Sequence, residues 1–279
     1  MMNKNNYALV LLVFGFFLNF AQQKEKIKGS KIVTVTLKEV KEFQQLEIGD
    51  NFEVFLVKNN TPSVEIEADD NLHETVQLVT DGKSLKINSS KDVVSAKKYA
   101  IRINYNDSLK TIIGKNETKI NALASLDLQK VKITNYDKSK SFLNSKSTDF
   151  MLVLHDKATA EINITSEKIT LQLDKEAEIK ALVNATETKI DLYQKAHAEI
   201  EGDAQIAAMR LYNNSHLTAK KFTAKNLQLL AEGYTKSSIN ASMNAEISAS
   251  GKCEIDIHGE PKINLIQFTN TATLYKKEK

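Results

Sequence analysis

Few residues in this 279-residue chain have types and spacing suited to chemistry. Its five histidines are His73, His155, His197, His216 and His258. His197 and His216 each precede the small residue of an internal repeat, so they should stack on adjacent turns and face outward. Two stacked imidazoles supply half of a typical zinc shell. The flanking positions read as Thr159 and Lys236, which add no further ligand, so a solvated pair is expected and no metal. Tyr193 and Tyr212 follow Leu192 and Leu211 at matching places and should form a second outward pair, able to meet a polar partner through ring and hydroxyl. Glu161, Glu178, Glu199 and Glu254 recur on outward positions. Glycosidases commonly hold two carboxylates roughly 5 to 10 Å apart, and Glu178 with Glu199 is the pair such an enzyme would use. Lys or Ser flanks most of these glutamates, as on a solvated face. Cys253 is the only cysteine. A nucleophilic thiol needs an adjacent base, and His258 lies outside the repeat phrase, so Cys253 reads as a small buried residue. The H-E-x-x-H, C-x-x-C and G-x-x-x-x-G-K patterns are absent. The expectation is therefore no catalytic set, no cofactor and no metal, with Tyr193, Tyr212, His197 and His216 as candidate surface-contact residues.

The elements that must position these groups come from the repeat itself. A phrase of small residue, any residue, apolar residue and usually Asn or Asp recurs nine times. Its copies begin at Thr118, Ser141, Ala160, Ala181, Ala198, Leu217, Ser237, Cys253 and Ala272, in steps of 23, 19, 21, 17, 19, 20, 16 and 19. A period near 20 marks a solenoid. The runs alternate in period two, as in Phe150-Met-Leu-Val-Leu154 and Ile169-Thr-Leu-Gln-Leu173, so the repeating unit is strand rather than helix. The fold class is all-β: a right-handed parallel β-helix of roughly nine turns, rising about 4.8 Å per turn, with a less regular β-rich N-terminal part. Ile120, Leu143, Ile162, Val183, Ile200, Ile239, Ile255 and Leu274 should stack inward. Asn121, Asn144, Asn163, Asn184 and Asn240 should line one corner as a ladder. Lys276-Lys277-Glu278-Lys279 should protect the final turn with charge, and Lys31 to Val40 should cover or edge the other end.

Three segments are expected. Residues 1–21 carry Lys4, an apolar run from Tyr7 to Phe20, and Ala21 before a polar stretch, which reads as a secretory signal peptide. Residues 22–30 are a polar, Lys-rich flexible lead, and residues 31–279 form one domain. Within it, Asp69 to Val76 is the one early segment suited to a helical turn, with Asp or Asn as cap. No second apolar segment reaches membrane length. Net charge is +3, and only Arg102 and Arg210 are arginines, which argues against nucleic acid as a partner.

The stretch Phe43-x-x-Leu46-x-Ile48, Phe52-x-Val54-x-Leu56, Ser63-Val64-x-Ile66-x-Ala68-Asp69-Asp70-Asn71-Leu72 and Asp81-Gly82-x-x-Leu85-x-Ile87 resembles the head of the putative auto-transporter adhesin, GIN domain family. Ala249-Ser250-Gly251-x-Cys253-x-Ile255-x-Ile257-x-Gly259-x-Pro261-x-Ile263 resembles that family's closing repeats. The middle repeats depart from it, with Ala, Asn and Lys where the family often has Gly or Ser. The resemblance implies an exported bacterial envelope protein with β-helix-like strands and no established reaction. The function expected is a non-catalytic adhesin or binding module for a protein or glycan of the envelope, in the periplasm or on the outer surface. The alternative is a polysaccharide-active hydrolase or lyase.

Overall fold

A computed structural model describes residues 24–278, so the expected signal peptide lies outside the described residues. The N-terminal part contains β1 (Lys26–Lys28), β2 (Val33–Glu39), β3 (Gln45–Ile48), β4 (Glu53–Lys58), β5 (Ser63–Asp69), a 3-10 helix (Asp70–Thr75), β6 (Val76–Asp81), β7 (Ser84–Ser89), β8 (Asp92–Ser95) and β9 (Tyr99–Tyr105). The repeats follow as β10 (Thr111–Gly114), β11 (Lys119–Asp127), β12 (Lys130–Asn135), β13 (Lys140–Leu154), β14 (Thr159–Leu173), β15 (Glu178–Leu192), β16 (His197–Asn213), β17 (His216–Gly233), β18 (Lys236–Gly251), β19 (Glu254–His258), β20 (Lys262–Phe268) and β21 (Thr273–Lys276). Together they build a β-solenoid of about nine turns.

Each long strand bends in its middle and serves two sides of the turn, which is where its in/out alternation breaks. Successive strands pair in parallel, each residue with its equivalent one turn on. One inward column runs the length of the molecule: Leu85, Leu46, Ile112, Ile133, Leu152, Leu171, Ile190, Met209, Leu229, Ile247 and Leu265. All but Leu265 are buried. The core is thus a stack of aliphatic layers, each held by the backbone ladders of its own rung and its neighbours.

The register corrects the repeat alignment. Ala160 pairs with Ile179, and Ile162 with Ala181, so the phrase starting at Ala181 is displaced by two residues. Thr118 and Cys253 are displaced likewise, because Ile120 pairs with Ser141 and Ser237 with Ile255. Side chains alternate in period two, so a slip of two keeps every residue on its own face. The expected inward residues are accordingly buried, apart from the half-buried Leu274, but they fall in different columns. The small residues beside one corner are Thr118, Ser139, Ala158, Ala177, Ala196, Ser215, Thr235 and Cys253, all buried. Their steps of 21, 19, 19, 19, 19, 20 and 18 are more even than those read from the sequence.

The corner is made elsewhere than expected. Asn121, Asn144, Asn163 and Asn240 lie within strands, and Asn163 pairs across to Leu182 rather than to Asn184. The corner residues have positive φ: Asp50, Asn116, Asp137, Asp156, Lys175, Gln194, Asn213, Gly233, Gly251 and Asn270. Asn and Asp tolerate this left-handed region better than most residues, and Gly best of all. In the first turns their side chains also bond along the stack. Asn116 accepts the Asp50 N–H, Asp137 accepts that of Asn116, and Asp156 accepts that of Asp137, at 3.0, 2.8 and 3.2 Å. The expected ladder of Asn121, Asn144, Asn163, Asn184 and Asn240 is therefore not formed at a corner; the corner carries a different one, on Asn116, Asp137 and Asp156.

One end of the stack is closed. After the first rung, β3–β4, the chain leaves the solenoid and returns as β7 and β9, which pair in parallel with β3 and β4. Antiparallel β6 and β5 seal these strands, and β2 edges β5. The helical turn is present, but its N-cap residue, Asp69, makes no capping bond. The buried Asp69 carboxylate instead accepts N–H groups of Lys31, Lys97 and Lys98 at 2.9 to 3.1 Å, tying three segments together. The expected flexible lead contains β1, which pairs with β8.

Burial raises the Asp69 pKa, but the backbone donors and the Lys31 charge outweigh it and leave the value below normal. A carboxyl depressed on folding stabilises above its unfolded pKa, about 3.9, and loses that contribution as pH falls through its folded pKa. The urea-midpoint gap between wild type and Asp69→Asn should be constant from about pH 7 to 5 and shrink below about pH 4. A gap that is flat down to acid unfolding contradicts this role.

Candidate functional site

The four sequence candidates gather around two consecutive corners. Tyr193 and Tyr212 end one side of their turns, and His197 and His216 begin the next side after the short corner segment. The tyrosine rings stack at 5.3 Å with an interplanar angle of 1°. The imidazoles stack at 4.9 Å and 11°. All four are half-buried. Parallel stacking occupies one face of each tyrosine ring, so the group a ligand meets is chiefly ring edge and hydroxyl. Burial, then the nearby Glu232, raises the Tyr212 pKa, which keeps its phenol protonated at neutral pH as a hydrogen-bond donor. Burial, then His197 and Lys236, lowers that of His216, so its imidazole is neutral at pH 7.

Beside the tyrosines, Arg210 donates two hydrogen bonds to Asp191, at 2.6 and 2.7 Å. Asp191 is buried and also meets Lys189 at 3.3 Å. This paired geometry fixes the guanidinium against the backbone column that carries Tyr193 and Tyr212. Sequence reasoning missed it, although the 19-residue step from Asp191 to Arg210 was there to read. The same step extends the tyrosine row backwards. His155 stacks on Tyr136 at 4.7 Å, and its Nδ1 lies 2.6 Å from Asp174 Oδ2.

The histidine row needs one correction. Glu178, not Thr159, is the neighbour of His197 one turn back, with Lys236 beside His216 on the other side. No group of three or more His, Cys, Asp or Glu among the described residues is arranged to hold a metal ion. Three of the four outward glutamates have a lysine neighbour along the stack, whereas Glu178 lies between Thr159 and His197. Glu161 pairs across to Lys180, Lys180 lies 3.9 Å from Glu199, and Lys236 lies 3.1 Å from Glu254. Glu178 and Glu199 sit on adjacent turns in different columns.

Two shallow grooves flank the corner between β11 and β12. The larger, about 830 Å³, mixes Lys110, Lys130 and Lys132 with Asp127 and Asp149. The smaller, about 580 Å³, follows the strand bends past Ser147, Ser166 and Asn184. Neither was legible in the sequence, because each is lined from several turns.

Cys253 is buried in the corner column, with its Sγ 3.0 Å from the Ser250 carbonyl oxygen, where Ser139 bonds the Tyr136 carbonyl at 2.7 Å. A thiol reagent should label native Cys253 far more slowly than the protein in urea. Equal rates contradict the burial.

Stacked parallel rungs, a folded-back cap and side chains displayed in outward ladders define a solenoid scaffold that presents surface. The model of the family described as "Putative auto-transporter adhesin, head GIN domain" matches residues 42–261. The chain belongs to that family. No curated protein matches it. Among solved structures, a putative adhesin from Parabacteroides merdae is 15% identical, with a TM-score of 0.61 over 91% of this chain and 98% of the other. A structure from Parabacteroides distasonis named a putative lipid binding protein is also 15% identical, with a TM-score of 0.62 over 91% and 100%. A putative adhesin from the same organism is 14% identical, with a TM-score of 0.61 over 91% and 98%. At these identities the likeness shows the fold. The family and these structures carry names of binding proteins. No helix among the described residues is long and apolar enough to cross a membrane.

Proposed function

We propose that the chain is exported by its N-terminal signal, residues 1–21, and that residues 31–279 act as one non-catalytic binding module of the bacterial envelope for a protein or glycan partner. The observation that carries this reading is the patch at two consecutive corners: Tyr193 with Tyr212, His197 with His216, and the Asp191–Arg210 clamp beside them. It offers hydroxyl donors, imidazole nitrogens and a fixed cation on a rigid scaffold, which suits a ligand rich in hydroxyl or carboxylate groups. The lysines beside Glu161, Glu199 and Glu254 support binding rather than glycosidic cleavage, which uses a carboxylate pair across a substrate-sized gap.

The test is retention of the purified protein on an array of envelope and host glycans, envelope proteins and lipid vesicles, with product release scored in parallel. The lipid arm is prompted by the name of one structural relative. The expected result is retention by a glycan or protein, reduced about tenfold or more by Tyr212→Ala with His216→Ala, and no product. Turnover of any glycan overturns the reading. Retention unchanged in the double variant removes these residues from the site.

A further inference from the structure

We infer that the ligand of this module is an unbranched, uncharged chain of β-(1→4)-linked pyranoses that lies parallel to the solenoid axis along one row of side chains. The inference rests on the binding reading above and adds three members to its tyrosine pair. Tyr136, His155, Asp174, Tyr193 and Tyr212 hold the same position on five successive turns. Each follows one residue of the buried ladder Asn135, Leu154, Leu173, Leu192 and Leu211. All five are half-buried. Charge bounds the row, because the equivalent residue is Lys115 on the turn before and Glu232 on the turn after.

The spacing of the row is that of the rungs. Ring centroids step by 4.7 Å from Tyr136 to His155 and by 5.3 Å from Tyr193 to Tyr212. Between these pairs, Asp174 accepts or shares a proton with His155 at 2.6 Å. The row therefore offers a hydroxyl, imidazole or carboxylate tip at each rung, over about 19 Å at ~4.8 Å per step. Stacking occupies ring faces, so a ligand is met by ring edges and polar tips.

Periodicity selects among extended ligands. A peptide strand shows one face every second residue, about 6.6 Å, and falls out of step with the row within a turn or two. A diequatorially linked pyranose chain advances by roughly one sugar ring per unit, close to the rung step of ~4.8 Å, and stays in step over several turns. A folded protein partner needs an apolar centre to its contact. None of the exposed large hydrophobics among the described residues lies on the row or in the columns beside it.

Charge and shape narrow the class further. The nearby cations are already matched by carboxylates, Lys175 by Asp156 and Arg210 by Asp191. The row itself carries Asp174. Hydroxyl groups therefore suit it better than the carboxylates or sulfates of an acidic glycan. The two grooves described above do not include the row, and a compact small molecule needs a concave site.

The test titrates the purified full chain with β-(1→4)-linked oligomers of glucose, N-acetylglucosamine and mannose, as disaccharides and hexasaccharides. At least one hexasaccharide should bind, about tenfold or more tighter than its disaccharide. Maltohexaose, whose α-(1→4) links curl the chain, should bind about tenfold or more weaker than that hexasaccharide. Tyr136 lies four turns from Tyr212, so only a ligand that spans the row meets both. Tyr136→Ala should accordingly cut the hexasaccharide-to-disaccharide ratio to about threefold or less. Partial unfolding lowers both affinities together and leaves that ratio unchanged. No hexasaccharide binding, equal binding of the two lengths, equal binding of maltohexaose, or an unchanged ratio in Tyr136→Ala overturns the inference. The array result for Tyr212→Ala with His216→Ala separates the two readings. Retention of another ligand that the double variant loses leaves the binding module standing without the axial chain, and loss of both results removes both.

Discussion

Leu171→Asp is expected to destabilise the protein by about 4 kcal/mol or more, the range reached when a charge is buried without a partner. Leu171 is fully buried between Leu152 and Ile190 in the central aliphatic column. Its rung has no alternative layer to turn the side chain towards, because a one-residue slip would expose every inward residue of β14. Leu171→Ala should cost less, about 2 to 5 kcal/mol, through the cavity it leaves. Because each turn contacts only its neighbours, the damage should also uncouple the two halves of the stack. Urea unfolding of Leu171→Asp should then lose its single transition, with the flanking turns melting separately. A loss below about 1 kcal/mol with an unchanged transition would show that the column is not the core.

Gly202→Ala should be nearly as severe, costing about 3 kcal/mol or more. Gly202 has φ +109°, and a Cβ there would lie 2.1 Å from the Val183 carbonyl oxygen on the neighbouring rung. That oxygen is backbone in the β15–β16 ladder, so relief requires the rungs to separate. Gly82 provides the control. It also has positive φ, at +58°, but open space surrounds its missing Cβ, so Gly82→Ala should cost only about 1 kcal/mol, the left-handed penalty alone. Similar thermal shifts for the two variants would falsify the close-approach argument.

The extent to which the chain could be read before folding follows from which interactions are local. Period-two alternation and a period near 20 are properties of the one-dimensional string. They determined strand over helix, solenoid over sandwich, and the inward or outward side of nearly every repeat residue. They also brought out Tyr193 with Tyr212 and His197 with His216, because equal offsets in adjacent repeats become neighbours when turns stack. Register is different, since alternation is unchanged by a shift of two. The hydrophobic pattern therefore could not distinguish Ala181 from Ile179 as the partner of Ala160. Backbone ladders and the positive-φ corner at Lys175 made that choice.

The error spread to chemistry: the slipped alignment hid Glu178 beside His197 and placed the corner ladder on Asn residues that lie in strands. The Asp191–Arg210 clamp, the grooves beside β11 and β12, and the closed head all depend on which turns lie side by side. The head depends most on tertiary structure, because β7 and β9 stack beneath β3 and β4 only after the intervening chain reverses through antiparallel pairings that no repeat encodes. The sequence by itself thus determined the solenoid and the face each side chain takes. Three-dimensional packing decided the register, the neighbours of each functional group, and how the head is sealed.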